Sequence, residues 1–149
     1  MEFSSDGRWV AYVSYPDGAL WRARSDGTEP LQLTSPPLRA FRPRWSPDGK
    51  RILFVVRGSG DLPKIYTISI DGGNPEPLVS EPHAQTAASW SPEGDSIIYG
   101  RDPDTEKRDI ALYRFDLRSH RTEKVPGSDG RLRAYLVFGW QQIGRPVRE

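Results

Sequence analysis

One short pattern governs what this chain can fold into. Phe3-Ser4-Ser5-Asp6-Gly7 recurs as Trp45-Ser46-Pro47-Asp48-Gly49 and as Trp90-Ser91-Pro92-Glu93-Gly94, so Gly7, Gly49 and Gly94 stand 42 and 45 residues apart. A second motif follows each copy: Leu20-Trp21-Arg22-Ala23-Arg24-Ser25-Asp26-Gly27, then Ile65-Tyr66-Thr67-Ile68-Ser69-Ile70-Asp71-Gly72, then Leu112-Tyr113-Arg114-Phe115-Asp116-Leu117-Arg118-Ser119. A third closes each unit at Leu31-Gln32-Leu33-Thr34, Glu76-Pro77-Leu78-Val79-Ser80 and Thr122-Glu123-Lys124-Val125. Three motifs in one order, three times, are an internal repeat of the length that builds arrays of small sheets.

Each unit reads as four short strands. Phe41–Trp45 ends at Ser-Pro-Asp-Gly, where Pro presets φ and Gly admits φ > 0, the chemistry of a tight connection. Arg51–Val56 is a near-continuous apolar run, suited to a strand covered on both faces. Its equivalents are Trp9–Val13 and Ser96–Tyr99. The third strand alternates, with Tyr66, Ile68 and Ile70 on one face and Ile65, Thr67 and Ser69 on the other; Tyr113, Phe115 and Leu117 repeat the first set. The last strand is short and carries Pro, which fits a sheet edge. Gly and Pro, 14 each, interrupt almost every window long enough for a helix. The reading is all-β: a partial β-propeller of about three four-stranded antiparallel blades, with units at about 3–40, 41–85 and 86–125 and a degenerate, irregular tail at 126–149, all in one domain spanning 1–149.

The aromatic-Ser-Pro-Asp-Gly, strand, Ile-Tyr-x-x-x-x-Asp-Gly-Gly, Leu-Thr pattern resembles the WD40-like PD40 repeats of TolB-like bacterial β-propellers. That resemblance covers residues 3 to 125 and is specific for fold. It implies a binding or scaffold module without catalysis, part of a larger sensor or adaptor, with a protein partner. Periplasmic residence follows from the resemblance alone. The same repeats occur in propeller domains of prolyl-oligopeptidase-type peptidases, which is the competing class; its catalytic domain would lie elsewhere.

The repeat grammar vanishes after about Gly130, and the first copy starts inside the turn motif. We therefore expect a piece of a longer propeller, from a gene interrupted or read out of frame. No apolar leader follows Met1. An open arc would leave a blade face bare at each end; about 400 Å² of wet apolar surface forfeits on the order of 10 kcal/mol. Self-association or poor solubility is the expectation.

Chemistry is sparse. The mean hydropathy of −0.66 leaves no membrane span. The net charge of +1 leaves no nucleic-acid footprint, and absent Cys excludes disulfides and thiolate metal sites. His83 and His120 read as loop histidines, not as acid–base groups or metal ligands. No Gly-x-Ser-x-Gly elbow occurs. Four carboxylates in Asp102–Asp109 would suit calcium, but Lys107 and Tyr113 stand where an EF-hand has Gly and Glu, so a solvated hairpin tip is expected. Gly58-Ser59-Gly60-Asp61 lacks the Lys and helix of a phosphate cradle. Among Trp9, Trp21, Trp45, Trp90 and Trp140, four hold repeat positions and are assigned to the inter-blade core. Arg39, Arg42 and Arg44 are a candidate anion patch on an inner strand, set against a solvated strand face. No cofactor, metal or catalytic residue is assigned.

Overall fold

A computed structural model describes residues 1–102 and 110–129. These residues form three four-stranded antiparallel meanders and no helix. Sheet 1 comprises β1 (Glu2–Phe3), β2 (Trp9–Val13), β3 (Leu20–Arg24) and β4 (Leu31–Gln32). Sheet 2 comprises β5 (Arg39–Trp45), β6 (Arg51–Arg57), β7 (Lys64–Ser69) and β8 (Glu76–Pro77). Sheet 3 comprises β9 (Ala84–Trp90), β10 (Ser96–Asp102), β11 (Ala111–Asp116) and β12 (Thr122–Lys124). Strand order within each sheet follows the chain, with the Pro-bearing β8 on an edge. Among the first strands, β5 neighbours both β1 and β9, so successive sheets fan out from a common side. This is the arrangement of successive propeller blades.

Burial explains the fan. Ile52, Phe54 and Ile68 of sheet 2 pack against Ala11, Leu20 and Leu33 of sheet 1, while Leu53 and Ile65 on the opposite face pack against Ile97, Tyr99 and Phe115 of sheet 3. Sheet 2 is therefore apolar on both faces, as its unbroken run requires. On one face an aromatic pair recurs, each member directly opposite the other: Tyr12 and Trp21, Phe54 and Tyr66, Tyr99 and Tyr113, with ring centroids 6.4, 6.1 and 6.1 Å apart. In sheets 2 and 3 that pair faces the preceding sheet.

The turn motif works through its serine as well as through Pro and Gly. Ser46 is buried; its N–H bonds to Arg51 O, its Oγ accepts from Arg51 N at 3.0 Å and donates to Asp48 Oδ1 at 2.6 Å. Asp48 also accepts from Lys50 N. Ser4, Asp6, Arg8 and Trp9 repeat every bond. In the third copy Glu93 stands where Asp48 would, and the carboxylate comes from Asp95, which accepts from Ser91 Oγ at 2.9 Å. The hub survives while its acid moves two positions.

A second recurring bond anchors the third strands. The N–H groups of Leu20, Ile65 and Leu112 are buried where the fourth strand has ended, and each finds a side-chain oxygen: Thr34 Oγ1 at 2.8 Å, Gln85 Oε1 at 2.9 Å and Ser128 Oγ at 3.1 Å. In copies two and three the position matching Thr34 is held by Val79 and Pro126, which lack a hydroxyl. Gln85 and Ser128 reach in from elsewhere, because an orphaned buried N–H is costly.

Candidate functional site

The turns after the first strands of all three sheets gather around one groove of about 400 Å³, walled by Glu2, Phe3, Arg44, Trp45, Ser89 and Trp90. Two bonds set its width. Trp45 Nε1–H donates to Glu2 O at 2.9 Å, and Trp90 Nε1–H donates to Arg44 O at 3.2 Å. Each indole thus binds the carbonyl just before the aromatic position of the previous sheet. Ser5 Oγ adds a bond to Pro47 O across the first junction. The floor is buried indole; the rim carries the Glu2–Arg44 ion pair and Phe3, which is 52% exposed.

The hydroxyls here are engaged. Ser46 and Ser91 each donate to a carboxylate and accept a strand N–H. The hydrogen bond from Ser46 Oγ, then that from Lys50 N–H, hold the Asp48 carboxyl below its ordinary range; those from Ser91 and Ser96 do the same to Asp95. Among the described residues, no three His, Asp or Glu side chains gather as metal ligands. The groove can grip a chain by shape, one ion pair and an exposed aromatic ring.

The sequence-nominated residues scatter. Trp45 and Trp90 lie buried at the junctions, as inter-blade core. Trp9 and Trp21 are half-buried, and Trp9 carries the guanidinium groups of Arg22 and Arg24 over its ring at 4.6 and 4.4 Å. His83 contributes its carbonyl, which accepts from Lys64 Nζ at 2.7 Å. His120 is an exposed turn residue with φ 57° beside the Phe115 ring. Gly58–Asp61 joins β6 to β7. Residues 103–109 of the acidic loop, and Trp140 with the tail from 130 onward, lie outside the described residues. Arg39, Arg42 and Arg44 do not converge: Arg44 pairs with Glu2, while Arg39 donates to Pro16 O at the other end of β5.

A polar cluster between sheets 2 and 3 escaped the sequence reading. Glu81 accepts from Tyr99 Oη and from Arg101 Nη1, both at 3.0 Å, and Arg101 lies 3.8 Å over the Tyr113 ring. Burial, and then the Glu81 carboxylate, push the Tyr99 phenol well above its ordinary range. The only signal was a Glu at 81 before the Trp90 strand, too generic to read.

The family model PD40, TolB beta propeller domain, matches residues 1–133. The chain belongs to the TolB β-propeller domain family. No curated protein matches it significantly. Among solved structures, this TolB-type domain is similar to TolB from Acinetobacter baumannii at 26% identity and TM-score 0.69, covering 85% of this chain and 32% of that one. It is similar to a TolB from Agrobacterium tumefaciens at 22% identity and TM-score 0.70, covering 82% and 46%. The chain thus spans less than half of either TolB structure. The AtxE2 isopeptidase, at 14% identity and TM-score 0.61, covers 83% of this chain and 28% of its own, and shares the fold alone. Among the described residues no helix is long and apolar enough to cross a membrane.

Proposed function

We propose that this TolB-type domain is a non-catalytic binding module that recognises a protein partner at the groove beside Glu2 and Arg44. One observation carries the reading: indole-to-carbonyl bonds tie the groove walls together, while its serine hydroxyls are engaged in holding turns. A rigid frame presenting an exposed aromatic ring and an ion pair suits recognition. Periplasmic residence and service within a larger sensor or adaptor belong to the same reading and rest on the family. Self-association through blade faces belongs to it too and rests on the open arc: Tyr12 and Trp21 are half-buried and hold the places that Phe54/Tyr66 and Tyr99/Tyr113 use to meet the preceding sheet. The peptidase alternative draws support from the fold shared with AtxE2 isopeptidase; a hydrolase domain encoded in the same locus would favour it.

The test places a photo-crosslinking benzoylphenylalanine at Phe3 or, as a control, at Arg121. Crosslinking to one discrete protein from Phe3 alone supports the reading, provided Arg44→Ala weakens it. Equal crosslinking from both positions, or serine-dependent hydrolysis of peptide esters by the purified chain, would overturn it.

A further inference from the structure

We infer that a second groove, between β5–β6 and β9, binds a carboxylate carried by an acidic peptide. It is separate from the Glu2–Arg44 groove and does not depend on it. The groove measures about 200 Å³ and is lined by Phe41, Arg42, Val55, Arg57, Thr86 and Ala87. That is below the roughly 300–1,000 Å³ of a small-molecule site and suits a single extended side chain.

Two arginines line it, Arg42 and Arg57, and a third stands next to Arg57 in the sheet. Arg57 stands directly opposite Arg39 in the β5–β6 register, and like charges in that position destabilise a sheet. Arg42 lines the groove from the stretch where the register shifts between Phe41 and Arg44. Its φ is 51°, a left-handed conformation that a non-glycine residue adopts at a cost. Ala87, the matching residue of β9, has φ 48° in the matching irregularity. Bulges of this kind re-aim side chains. Among the described residues no carboxylate pairs with Arg42 or Arg57, the two arginines that line the groove, and Arg39 beside them donates to Pro16 O. Arg57 rests its guanidinium 5.4 Å over the Phe41 ring, and Phe41 is 38% exposed.

The chemistry follows. Unpaired guanidinium groups offer bidentate donors to a carboxylate. Phe41 and Val55 beside them offer an apolar wall for the methylenes of a Glu side chain. A free phosphate or a nucleic-acid backbone would have no use for that wall, and the net charge of +1 supplies no extended basic stripe.

The probe is a fluorescein-labelled octapeptide alternating Glu and Val, compared by anisotropy with its Gln-for-Glu counterpart. The Glu peptide should bind at least tenfold more tightly, and added salt should weaken it. Arg42→Gln and Arg57→Gln should each cost at least fivefold, while Arg8→Gln leaves binding unchanged. Both arginines are exposed, and far-UV circular dichroism checks that the variants fold. Should either misfold, the Nε–H resonances of Arg42 and Arg57 in the unaltered chain decide, since they should shift on adding the Glu peptide alone. Equal binding of both peptides, equal loss in Arg8→Gln, unshifted resonances, or displacement by inorganic phosphate at the peptide's own concentration would each overturn the inference. Loss on Arg44→Gln, with Arg42→Gln and Arg57→Gln without effect, would overturn it as well by placing the peptide in the other groove.

Discussion

Trp90 and Arg44, 46 positions apart, are joined by a hydrogen bond of 3.2 Å from the indole Nε1–H to the main-chain carbonyl. The bond crosses from sheet 3 to sheet 2, and Trp45 to Glu2 repeats it from sheet 2 to sheet 1. Trp90→Phe keeps most of the buried area and removes the donor. It should cost about 1 kcal/mol, and Trp90→Ala about 3–5 kcal/mol. Urea unfolding followed by circular dichroism measures both. Equal losses would show that the hydrogen bond and the ring's bulk are not separable in this way.

The serine hub offers a sharper contrast. Ser46→Ala takes the side-chain acceptor from Arg51 N–H and one of two donors from Asp48 in a turn that is partly exposed, at about 1 kcal/mol. In the third copy the hub acid is Asp95, so Asp95→Ala should lower the melting temperature clearly more than Glu93→Ala. A larger effect at Glu93 would contradict the bonding described.

Much of this architecture is legible in the residues. The unbroken run from Ile52 to Val56 announces a strand covered twice, and the alternation of Tyr66 and Ile68 with Ile65 and Thr67 announces which faces meet which neighbours. Ser46 was harder to read, because Pro47 and Gly49 already account for a turn and nothing in the string marks a hydroxyl as buried. The groove was illegible for a different reason. Glu2, Arg44 and Trp90 come from three units, and only the stacking of sheets brings them together. Arg39, Arg42 and Arg44 looked like one patch because they are close in sequence. A strand alternates its faces and spreads residues along its length, and so Arg57, from the opposing strand, is the residue that joins Arg39.

Acid should loosen the turns together. Hydrogen bonds from Ser4, Thr28, Ser46 and Ser91, each the leading cause at its site, hold Asp6, Asp26, Asp48 and Asp95 below the ordinary carboxylate range. A carboxyl with a depressed folded pKa contributes stability above its unfolded value near 4, and that contribution is lost as pH falls through the folded value. The melting temperature should therefore hold steady at neutral pH and decline below about pH 4. Ser46→Ala should flatten that decline; a decline beginning above pH 6 would point to other groups.

Alkali should act through Tyr99. Its phenol is raised first by burial and then by Glu81, so the folded state favours the neutral form. Its contribution is full below the unfolded value near 10 and is lost as pH rises beyond it. Glu81→Gln should bring the Tyr99 titration back toward that of exposed tyrosines in a difference spectrum. An unmoved titration would exclude the carboxylate as a cause.

The oxygen that accepts the Ile65 N–H should be replaceable by one from another position. Gln85→Ala should cost about 1–3 kcal/mol by orphaning the Ile65 N–H. Adding Val79→Thr supplies the hydroxyl that Thr34 provides at the corresponding place in the first copy, and should recover part of the loss. No recovery would mean that the two copies differ in backbone at this point.

That exchange has a consequence for how such chains change over time. Since Thr34, Gln85 and Ser128 serve the equivalent amide from three different places, no one of those places is required in every copy. A copy whose signature has worn away at the closing motif thus keeps its third strand in place for as long as some neighbour satisfies the amide.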